Sequence, residues 1–99
     1  MKIYRYDDKT KDNEITDISA EFVEGGSLVI RGYDMGPIVE ELLGDYDHEY
    51  WMTIAAEDIR RFVLLVLRKT FNTDTKLTFG NLLNLCKENG IDAHAGGWT

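Results

Sequence analysis

Apolar and polar positions alternate most clearly within Glu14 to Glu24. There Ile18, Ala20 and Phe22 alternate with Asp17, Ser19 and Glu21. That period of two predicts a strand in a sheet with one wet face. Lys2 to Tyr6 predicts an earlier strand, with Tyr4 and Tyr6 on one face and Ile3 and Arg5 on the other. Asp7 to Asn13 reads as a polar turn between the two. Ser27 to Tyr33 predicts the returning strand after Gly25-Gly26. Cross-strand partners share a face, so the register can be argued. A two-residue loop sets Glu21 against Ile30, a polar–apolar mismatch. A three-residue loop, Glu24-Gly25-Gly26, pairs Val23 with Ser27, Phe22 with Leu28 and Ala20 with Ile30. It leaves Gly26 left-handed in a bulge.

Past Gly36 the period lengthens. Pro37 suits the first helical position. Ile38, Val39, Leu42 and Leu43 form one apolar stripe, and Gly44 can end the helix. His48 to Ile54 reads as extended, with Tyr50, Met52 and Ile54 toward the core. Glu49, Trp51 and Thr53 face the other way, which puts Trp51 either under a helix or in water. Ala56 to about Thr70 predicts the main helix, with Glu57 and Asp58 in its first turn and Arg68 and Lys69 in its last, as the helix dipole favours. Its stripe is Ile59, Phe62, Val63, Val66 and Leu67. Leu64 and Leu65 widen the stripe and predict a helix covered on more than one side. Thr78 can cap a further helix from Phe79 to Asn89, with Phe79, Leu82, Leu83 and Cys86 apolar and Gly90 as the left-handed stop. The tail from Ile91 predicts a short edge strand ending at Trp98. The expected fold is α+β, a mostly antiparallel sheet of four to five strands with two to three helices packed on one face.

Three of these elements carry motifs. They are the strand Leu28-Val29-Ile30-Arg31-Gly32, the helix start Asp34-Met35-Gly36 and the acidic strand Glu49-Tyr50-Trp51. Together they resemble a family of small uncharacterised bacterial proteins, and the likeness extends to Asn89-Gly90-Ile91 and Trp98. The resemblance implies the fold and brings no activity, cofactor or site residue with it.

Ninety-nine residues suit a single domain spanning 1–99. An apolar content of 43% with eleven aromatic rings argues for a packed core rather than disorder. No signal-peptide h-region opens the chain, and the single cysteine allows no internal disulfide. A cytoplasmic setting is therefore the expectation. The net charge of −7 is lopsided. Residues 1–58 hold five Lys and Arg against fifteen Asp and Glu, whereas residues 59–99 hold six against three. The acidic half repels phosphate backbones, which argues against nucleic acid and for a basic partner. The longest apolar run is six residues, so no membrane partner is expected.

Candidate chemistry is sparse. Asp8, Thr10, Asp12 and Glu14 alternate like calcium-loop oxygens, but Asn13 and Ser19 stand where that loop needs glycine and glutamate. Asp45, Asp47, His48, Glu49 and the distant His94 lack metal-ligand spacing, since successive strand residues point to opposite faces. Cys86 on an apolar helical stripe reads as a core residue. No cofactor is expected and no catalytic constellation is visible.

The strongest signal is the acidic-aromatic cluster of Asp34, Asp45, Tyr46, Asp47, His48, Glu49 and Trp51. Rings give anchoring area and carboxylates steer association. The expected function is a non-enzymatic module that binds a basic protein, of the immunity or antitoxin kind. One alternative is a small enzyme or ligand-binding domain using His48 and nearby carboxylates; it requires His48 and another polar group in a common concavity. Another is a self-associating module, possible as a homodimer, whose basic helix carries Arg60, Arg61, Arg68 and Lys69 onto another copy's acidic half.

Overall fold

In a computed structural model, the structure describes residues 1–8, 14–36, 47–74 and 77–98. Five strands form one antiparallel sheet in the order β1-β2-β3-β4-β5: Lys2–Asp8, Glu14–Phe22, Leu28–Met35, Asp47–Ile54 and Ala93–Trp98. Between β4 and β5 the chain makes a 3-10 turn, Ala56–Asp58, then α1, Ile59–Asn72, and α2, Phe79–Glu88. No described helix is long and apolar enough to cross a membrane. The predicted helix start at Pro37 with its stripe Ile38 to Leu43, the turn 9–13 with its calcium-like oxygens, and the site candidates Asp45 and Tyr46 lie outside the described residues.

The β2–β3 register is the one argued from shared faces. Phe22 opposes Leu28 and Ala20 opposes Ile30. Val23 N–H donates to Ser27 O at 2.9 Å across the three-residue loop, and both Gly25 and Gly26 take φ of +89°. The expected α+β architecture is present, with both helices on one face of the sheet. The Thr78 hydroxyl accepts from Asn81 N–H at 3.1 Å and caps α2. At its other end Gly90 has φ of +70°, and Ile91 N–H donates to Cys86 O at 2.9 Å. That closes the helix in a Schellman motif and buries Ile91.

The core lies between the sheet and the helices. Met52, Ile54 and Cys86 are fully buried, with Ile30, Phe62, Leu65, Leu85 and Ile91 around them. Truncating such a residue costs about 2–5 kcal/mol, so β4 is the strand on which stability is concentrated.

The structure departs from the sequence expectation in four places. The two helices among the described residues roof only part of the five-stranded sheet. Over β3 and β4 they bury Ile30, Met52 and Ile54, whereas on β2 Ile18 and Ala20 are only partly covered. Phe22, expected to face the core, is therefore 67% exposed. Among the described residues α1 is covered on one side only. Phe62 and Leu65 are buried, while Val63, Leu64, Leu67 and Phe71 face outward. The main helix also opens as a 3-10 turn over Ala56–Asp58 rather than as α-helix. Finally, a register shift between Lys2 and Tyr4 breaks the alternation of β1. Ile3 and Tyr4 then both line the helix side of the sheet, and Arg5 stays on the other side.

Candidate functional site

Alternation along β4 divides the acidic-aromatic cluster. His48 and Tyr50 point to the helix side, together with Asp34 of β3, which pairs with His48. Asp47, Glu49 and Trp51 point to the open side, beside Tyr33. Asp34 and His48 thus join each other, but not the rest of the predicted set.

On the helix side, the uncovered strip over β1 and β2 forms a groove of about 850 Å³. Its floor is Ile18, Ala20 and Ile30, and its wall is Phe62, Val66, Phe79 and Leu82 from the helices. Asp34, His48 and Tyr50 line it as well, with Thr16 and Thr78. The Tyr50 hydroxyl donates to Asp34 Oδ1 at 3.0 Å. Its ring lies over Gly32, its cross-strand partner, and meets Phe79 edge-on at 4.6 Å between centroids. A methyl at Gly32 would stand 1.9 Å from the Tyr50 ring. The glycine of the Leu-Val-Ile-x-Gly pattern is therefore there for the close approach of a ring, which no turn requirement explains. Burial, and then the charge of Asp34, push the Tyr50 hydroxyl far above its ordinary value of 10.0. The neighbouring His48 ring lies 5.4 Å from Tyr50, and its Nδ1 is buried with no hydrogen-bond partner among the described residues.

On the open side, Trp51 takes neither of its two expected settings outright. It is half-buried, lying across Gly96 of β5, whose added methyl would come within 2.7 Å of the indole. The Tyr33 hydroxyl donates to Asp47 Oδ2 at 3.2 Å. Burial first, then Asp47 and Glu49, raise the Tyr33 pKa. Tyr33, Glu49, Trp51, Asp17 and Arg31 surround a shallow concavity of about 340 Å³. Much of the negative charge here is answered within the sheet. Asp17 binds Lys2 and Arg5, and Glu21 binds Arg31 at 3.1 Å. The bond from Lys2 is the main cause holding the Asp17 carboxyl below its usual value.

Among the described residues no three of His, Cys, Asp and Glu converge to hold a metal ion. His94 sits apart, 3.3 Å from Asp92. Cys86 is buried in the core, and burial raises its thiol pKa, the reverse of what a nucleophile needs. The sequence reading passed over Tyr50 as a site residue because an alternating strand marks it as core. The signal available was Gly32 directly before Tyr33, a small residue where a strand needs a side chain. No protein-family model, curated protein or solved structure matches the chain.

Proposed function

We propose that this domain is a non-enzymatic binding module whose ligand occupies the groove between the sheet and the helices. One observation carries the reading: Asp34, Tyr50 and His48 meet at a largely apolar concavity of about 850 Å³. That volume falls within the usual size of small-molecule sites, and such sites combine apolar walls with a few convergent polar groups. Asp34 supplies the charge. One of its oxygens accepts from Tyr50, which leaves the other to accept from a ligand. A raised tyrosine pKa keeps that hydroxyl a neutral donor, and Asp34 is the carboxylate among the groove's described lining residues. The fitting ligand is an amine with an apolar body, its ammonium toward Asp34 and its body along Ile18, Ile30 and Phe79.

Straight-chain alkylamines, alcohols and carboxylates of equal length test this by calorimetry and amide chemical shifts. The amine is expected to bind best and to shift resonances of Ile18, Phe79 and Leu82. Asp34→Asn should weaken it roughly tenfold, the worth of one charge-assisted hydrogen bond. Equal binding of amine and carboxylate, or no response to Asp34→Asn, would sink the proposal.

A second reading rests on the open face, where Asp47 and Glu49 are exposed beside the half-buried Trp51 and, among the described residues, form no ion pair of the kind that Asp17 and Glu21 form. It is the basic-protein partner surface expected from composition. Asp47→Lys with Glu49→Lys should abolish capture of such a partner and leave amine binding intact; full retention of the partner would remove this surface from consideration.

A further inference from the structure

Helix α1 presents a second face that no other described element covers. Arg60, Leu64, Leu67 and Phe71 fall at i, i+4, i+7 and i+11, one line down the helix, with Val63 beside it. All five side chains are exposed: Leu64 by 66%, Leu67 by 48%, Val63 by 47% and Phe71 by 85%, with Arg60 at the head of the line. The spacing of four, three and four is that of a seam between two helices. Scattered surface leucines need no explanation, but a contiguous apolar line on an otherwise acidic chain marks an interaction surface.

We infer that this line is the contact between two copies of the chain, with α1 packed antiparallel on its counterpart about a two-fold axis. The pattern is complementary to itself when reversed. Leu64 of each copy then meets Leu67 of the other at the centre, and Arg60 of each meets Phe71 of the other at the two ends. An arginine over a phenylalanine face is an attractive pairing, and the symmetry supplies it twice. The alternative, a line of four apolar residues, would fit any apolar surface; a cation at one end and a ring at the other fit the reversed copy. In the same pairing Arg68 of the opposing helix faces Val63 rather than a like charge, and the Arg61 guanidinium is engaged at the end of α2, where it donates to Asn89 O. Antiparallel helices also set their dipoles head to tail. This contact is independent of the groove, because the groove uses Phe62 and Val66 on the other side of α1. It is smaller than a standard protein interface, so the dimer is weak and appears only with concentration.

Sedimentation equilibrium of the full chain, from micromolar to millimolar protein and in low and high salt, tests the inference. A monomer–dimer equilibrium is expected, little changed by salt because its centre is apolar. Leu67→Asp should abolish the dimer, and Arg60→Ala, which removes two cation–ring contacts, should raise its dissociation constant roughly tenfold. Leu67 is half exposed, so the variant is expected to keep the native circular dichroism and melting curve. If it does not, Phe71→Ala, at the most exposed position of the line, serves instead. A chain that stays monomeric at millimolar concentration overturns the inference. So does a dimer that survives Leu67→Asp, or one that dissolves in salt; the latter would mean that the basic helix docks on another copy's acidic half.

Discussion

Tyr50 and Trp51 are adjacent in sequence and solve the same problem on opposite faces of one sheet. Each lies across a glycine of the neighbouring strand, Tyr50 over Gly32 of β3 and Trp51 over Gly96 of β5. A glycine in a strand forfeits side-chain packing, and an overlying ring restores it. The surroundings then diverge. Tyr50 is held by Phe79 of α2 and by its bond to Asp34, so its ring is fixed on three sides. Trp51 has the sheet beneath it, and among the described residues no helix lies above it. The same local device is packed against a helix on one face, whereas on the other the described residues place only the sheet against it. The candidate ligand groove lies on the helix side.

The largest expected break in this symmetry is Gly32→Ala. Its methyl would occupy the space of a ring that cannot move, so a loss of about 2–3 kcal/mol in chemical denaturation is expected, together with weaker amine binding. Tyr50→Phe comes next. It keeps the ring and removes the donor to Asp34, at about 1 kcal/mol near neutral pH. The pH dependence sharpens the point. The folded Tyr50 hydroxyl is pushed above its ordinary value of 10.0, so above that pH the unfolded chain loses its proton first. Stability is fully present below about pH 10 and falls as pH rises beyond it, and Tyr50→Phe should flatten that alkaline slope. Tyr33 is raised as well, so part of the slope should persist in the variant. The smallest effect is expected for Gly96→Ala. The indole over it can swing outward, so the cost should be about 1 kcal/mol or less. Its clearer sign is a shift of the Trp51 indole resonance. Equal losses for the two glycine variants would erase the distinction between the faces.

Much of the fold could be read from residues alone, and the reasons are local. Alternation placed Ile18 and Ala20 on the inner face, and pairing of like faces set the Phe22–Leu28 register across the glycine loop. Thr78 and Gly90 marked the two ends of α2 through capping chemistry that acts within a few residues. The candidate site was legible only in part. Asp34 and His48 were picked out by type, but the cluster was treated as one surface although alternation already assigned its members to two. Tyr50 was hidden by its pattern, since a buried ring and a ring bonded to a carboxylate have the same period.

What the chain by itself determined is therefore the set of elements, their faces and the pairing of neighbours, because dihedral preference, side-chain period and turn chemistry are short-range. Coverage was decided only in three dimensions. Whether Phe22 is buried depends on how much of the sheet the described helices cover, and whether Leu64 is buried depends on what packs on the far side of α1, neither of which any window of sequence contains. The partial cover of the sheet leaves the groove at Asp34 and Tyr50, and the line from Arg60 to Phe71 faces outward.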